Sequence, residues 1–90
     1  MEDSEFVETI VKVAANLKGS EITSIERQQI IKTFNDIKGD PAERAKIAIK
    51  KVTGKSVPRQ FLLLESEGSI NELANLVGEL EEAAKEWIKN

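Results

Sequence analysis

Ninety residues with 40% hydrophobic and 32% charged content describe one ordinary folded domain, 1–90, with no length for a second. His, Cys and Tyr are all absent, which excludes an imidazole base, a thiol nucleophile, a zinc or haem site built on those ligands, and any disulfide. Net charge is −3, yet residues 1–30 sum to −3, 31–60 to +5 and 61–90 to −5, so a basic middle lies between two acidic ends.

The first segment runs from about Ser4 to Leu17. Phe6, Val7, Ile10, Val11, Ala14 and Leu17 recur at steps of three and four, the spacing of one helix face. Asp3 or Ser4 is placed to cap it, and Gly19 to take a left-handed turn beyond its end. The second opens at Thr23-Ser24-Ile25-Glu26, a capping box, and carries Ile30, Phe34 and Ile37 as its stripe before Lys38-Gly39. The third begins Asp40-Pro41-Ala42-Glu43, an acidic N-cap with proline at the first helical position, where its missing N–H costs nothing. Its inner face is Ala45, Ala48, Ile49 and Val52, and Gly54 ends it.

The fourth segment is short, from Ser56-Val57-Pro58 to Glu67. The fifth opens at a second capping box, Ser69-Ile70-Asn71-Glu72, and runs to about Lys89. Its stripe is Ile70, Leu73, Val77, Leu80, Ala84 and Trp87, widened by Ala74, Leu76, Ala83 and Ile88. No stretch alternates as a strand would. The expected fold is all-α: a compact single-domain helical bundle of four main helices plus one short helix. The second and fifth helices should form its core pair, anchored by Phe34 and Trp87.

Chemical motifs fail on spacing. Gly54-Lys55-Ser56 resembles the end of a phosphate loop, but position 49, where the loop needs glycine, is Ile on a helix. A calcium loop starting at Asp36 would put Lys38, Pro41 and Ile47 at its third, sixth and twelfth positions, where it needs oxygen ligands and glycine. The acids at 79, 82 and 86 face away from the apolar stripe, with Glu81 and Lys85 spaced for an i,i+4 pair. No enzyme activity, cofactor or metal is expected.

Residues 7–34, with Lys18-Gly19-Ser20-Glu21-Ile22 and then Glu26-Arg27, resemble the helix–loop–helix of TerB-like tellurite-resistance domains, in which an Asp-Gly turn precedes a Glu-Arg helix start and acidic residues are associated with metal. Glu26 matches the helix-start acid and Lys18 replaces the turn Asp. The match covers under a third of the chain, and the chain is not assigned to that family.

The expected function is non-enzymatic protein binding, of an adaptor or regulatory kind, through an apolar helical face in a cytoplasmic protein. The acidic start Met1-Glu2-Asp3-Ser4-Glu5 is unlike a secretory signal, and no membrane segment is present in the sequence. Phe61-Leu62-Leu63-Leu64 would cover every side of a helix, so it is either wrapped on all faces or exposed as a groove or homodimer seam. The candidate contacts are Ile47, Leu62, Leu63 and Leu64, with Lys50, Lys51 and Arg59 as a polar rim. The alternative is nucleic-acid binding by the basic segment 44–59. Against it, a reading helix here would present Asp40 and Glu43 to the duplex.

Overall fold

The computed structural model describes residues 3–58 and 71–89. Four helices follow in order: α1 (Asp3–Lys18), α2 (Ser24–Asp36), α3 (Pro41–Thr53) and α4 (Asn71–Lys89). The described residues contain no strand, and the radius of gyration is 12.4 Å, near the roughly 12 Å of a compact chain this long. The fold is an all-α bundle. The proposed short helix between Arg59 and Glu67, and the Ser69 cap, lie outside the described residues.

Local chemistry sets the helix starts. The Thr23 N–H donates to Glu26 Oε1 at 2.9 Å, and the Glu26 N–H donates to Thr23 Oγ1 at 3.1 Å, so two amides left free by helix geometry are paired. The Glu43 N–H donates to the Asp40 carboxylate at 3.2 Å, with Pro41 next in line. At the other end of α3, Gly54 holds φ +75°, which a side chain would strain, and its N–H donates to the Lys50 carbonyl at 2.8 Å. Asp3 behaves differently from the expected cap. It lies inside α1, and its Oδ1 accepts the indole N–H of Trp87 at 2.7 Å, tying the start of α1 to the end of α4.

One buried cluster joins all four helices: Phe6, Ile10, Val13 and Ala14 from α1, Ile30 and Phe34 from α2, Ala45, Ala48 and Ile49 from α3, and Leu80, Ala83 and Ala84 from α4. Val13 is buried although it stands off the expected stripe, while Val7, Val11 and Leu17 are only half-buried. A smaller cluster, Ala74 and Val77, packs with Val57 and Leu73.

The helix pairing corrects the expected core pair. α1 packs mainly on α4 and α2 mainly on α3, whereas the backbones of α2 and α4 are not neighbours. They meet only through long side chains. Phe34 and Trp87 lie 5.6 Å apart between ring centroids, and Phe6 completes the triangle at 5.4 Å from Phe34 and 5.3 Å from Trp87. The two contacts of Phe34 are edge-on, at 87° to Phe6 and 68° to Trp87, an arrangement the ring quadrupoles favour, while Phe6 and Trp87 are tilted at 40°. Phe34 and Trp87 are thus packed together as anchors, and Phe6 of α1 touches both rings.

Candidate functional site

The site is built on the outward side of α3. Because Ala45, Ala48 and Ile49 turn inward, the residues at 43, 46, 47 and 50 share the opposite side at helical spacing. Ile47 is 49% exposed there, and Lys50 and Lys51 flank it in solvent. A depression of about 250 Å³ is lined by Glu43, Lys46, Ile47, Lys50, Ser56 and Val57. A second of about 250 Å³ lies on the α3–α4 seam and shares Glu43 and Lys46 with it, reaching Ala84 and Ile88.

Lys46 separates the two. Its ammonium is 3.7 Å from Glu43 Oε1 and 3.6 Å from Glu81 Oε1, so one cation bridges both helices. This replaces the Glu81–Lys85 pair expected from i,i+4 spacing: Lys85 instead lies 3.5 Å from Glu82. Glu81 turns to the seam because it borders the buried side of α4, and Lys46 is the nearest cation there. Ile88, expected to widen the buried stripe of α4, is 59% exposed.

Of the residues singled out from the sequence, Ile47 and Lys50 line the same depression. Lys51 stands one turn beyond Ile47 and does not line it. Arg59, Leu62, Leu63 and Leu64 lie outside the described residues. Sequence reasoning missed Ser56, Val57 and Glu81 at this site. Val57 had a signal, an apolar residue just before Pro58, but its position against α3 depends on the path of the loop after Gly54.

The basic segment is less available than its sequence suggests. Arg44 donates from Nε and Nη2 to the Phe34 carbonyl at 3.1 and 2.9 Å, and its guanidinium lies 4.1 Å from the Phe34 ring centre. It therefore occupies a free carbonyl at the end of α2 and an aromatic face at once. Lys46 is engaged by two carboxylates. Of the segment's described cations, Lys50, Lys51 and Lys55 remain exposed without an ion pair.

Shifted ionisation lies elsewhere, on the α1–α2 hairpin. The Lys18 ammonium, 2.6 Å away, and then the Thr23 amide hold the Glu26 carboxyl below its ordinary range. Arg27 does the same for Glu8 through a hydrogen bond and is itself held protonated more firmly. Both pairs are accounted for by structure, each joining α1 to α2.

Among the described residues, no three His, Cys, Asp or Glu side chains are grouped so as to hold a metal ion, and no helix is long and apolar enough to cross a membrane. No family model matches the chain, and no curated protein or solved structure matches it. The likeness of residues 7–34 to TerB-like domains therefore stands as that of two helices and a turn.

Proposed function

We propose that this chain is a non-enzymatic protein-binding bundle whose α3 face seats an acidic, apolar segment of a partner. The observation that carries the reading is Ile47, half exposed beside a depression and flanked by Lys50 and Lys51, which form no ion pair. A large aliphatic side chain in that setting gains by being covered, and unpaired rim cations steer an oppositely charged partner more than they hold it. The bound Arg44 and Lys46 support this reading over nucleic-acid binding, because among the described cations of the basic segment they leave Lys50, Lys51 and Lys55 for phosphates.

The test is capture of partners from native lysate by the tagged chain, with and without nuclease, beside Ile47→Asp and Lys50→Glu variants. Ile47→Asp should fold within about 0.5 kcal/mol of the parent, because the site is on the surface. It should lose a nuclease-resistant protein partner, while Lys50→Glu should slow association most at low salt. Partners lost on nuclease treatment, with affinity falling steeply as salt rises, would instead make Lys50, Lys51 and Lys55 a nucleic-acid surface.

A further inference from the structure

At the end of the bundle away from the α1–α2 turn, α1 and α2 meet through Phe6 and Phe34, whose ring centroids lie 5.4 Å apart. Between them is a pocket of about 220 Å³, lined by Asp3, Phe6, Val7, Ile10, Ile30, Ile31, Phe34, Asn35 and Trp87. Its depth follows from burial. Phe6, Ile10 and Ile30 are at most 1% exposed and form the floor; Val7, Ile31 and Trp87 are half-buried walls. The two polar residues, Asp3 and Asn35, are exposed and stand at the mouth. None of the lining residues belongs to the α3 face.

We propose that this pocket is a binding site for a single aromatic ring carrying an ammonium group. Three observations combine. An apolar cavity of about 150 Å³ already accepts benzene, so this volume suits one ring with a short arm rather than a drug-sized molecule. Phe6, Phe34 and Trp87 line the pocket with aromatic surface, against which a ring packs in an edge or offset arrangement. Among the described residues that line the pocket, the only charge is the Asp3 carboxylate. Its Oδ1 is held by the Trp87 indole, which fixes the group, and Oδ2 makes no hydrogen bond to a described residue. A cation entering beside a ring meets a positioned acceptor. The Arg44 guanidinium is nearby, 4.1 Å from the Phe34 ring centre and 5.9 Å from that of Trp87, but no lysine or arginine is among the described residues that line the pocket.

The same chemistry is presented by a free arylalkylamine and by a peptide whose first residue is phenylalanine. The chain reports on the site directly, since Trp87 is its one Trp and it has no Tyr. The full chain is titrated with 2-phenylethylamine, with phenylacetate, and with the peptide Phe-Ala-Ala amide, free and N-acetylated, following Trp87 emission and the methyl resonances of Ile10, Ile30 and Ile31. The amine or the free peptide should bind saturably, with Kd of roughly 0.1–1 mM for so small a ligand. Phenylacetate and the acetylated peptide should bind more weakly, by up to about fivefold for the loss of one exposed ion pair. Asp3→Asn keeps an acceptor for the indole and should erase that difference. Val7→Phe, which fills the pocket from a half-buried wall, should abolish binding while helical circular dichroism stays unchanged.

Binding by the amine alone would assign the pocket to a free small molecule, and binding by the free peptide would assign it to a partner's N-terminus. No saturable change up to about 10 mM, equal binding of phenylacetate, or methyl shifts confined to other parts of the bundle would overturn the proposal.

Discussion

Glu26 shows how much one side chain carries when local and tertiary roles coincide. Its carboxylate accepts from the Thr23 amide at its own helix start and from Lys18 across the turn. Both partners favour the charged form, so the folded chain releases the Glu26 proton more readily than the unfolded chain does. The folded pKa is the lower one; this contribution is therefore full above the ordinary carboxyl value of 4.5 and is lost as pH falls through the folded value. Glu26→Gln should lower the melting temperature at neutral pH, and the gap to the parent should close as the solution is acidified through that range. An unchanged gap in acid would mean that packing, not ionisation, carries the effect. The capping box is legible in four consecutive residues. The Lys18 contact needs the hairpin to close and has no sequence signature.

At the scale of elements, the helices themselves are legible because their signals are local: period, caps, proline at the first turn of α3, and glycine after its last. Their partners are less so. An apolar stripe says that a face must be covered and says nothing of which helix covers it. α2 and α4 each carry an aromatic on a long stripe, which suggested a pair, yet α3 stands against α2 while α1 takes α4. Small residues at 45 and 48, fully buried, let α3 approach closely. Arg44 then clamps that approach by joining the α2 end to α3. Arg44→Lys keeps the charge and loses the paired donors and the flat contact with Phe34. It should destabilise the fold by about 1 kcal/mol in urea unfolding, whereas an unchanged midpoint would show the clamp to be incidental.

Across the whole molecule, the four helices depend on one cluster and on a junction of three rings drawn from α1, α2 and α4. Such a shared core favours unfolding as a unit. Melting followed by Trp87 emission, which reports that junction, should coincide with melting followed by helical circular dichroism. An early change in Trp87 emission with the helical signal retained would show that the aromatic junction opens before the helices melt. Charge is organised at this scale as well. The basic middle of the sequence divides once folded, with Arg44 turned to the aromatic junction, Lys46 to the α3–α4 seam, and Lys50 and Lys51 left outside around Ile47.

Residue order by itself determined the all-α class, the helix starts at Thr23 and Asp40, the end at Gly54 and most of the buried faces, because each depends on groups within about one turn of one another. It also marked Ile47, Lys50 and Lys51 as lying off the inner face of α3. Tertiary structure alone decided that Asp3 meets Trp87, 84 positions away, that Lys46 bridges to Glu81, and that Phe6 closes the aromatic junction. It alone produced the pocket between α1 and α2. Those features arise where faces from distant segments meet, and the meeting is chosen by how side-chain volumes fit together, a quantity that no periodicity along the chain records.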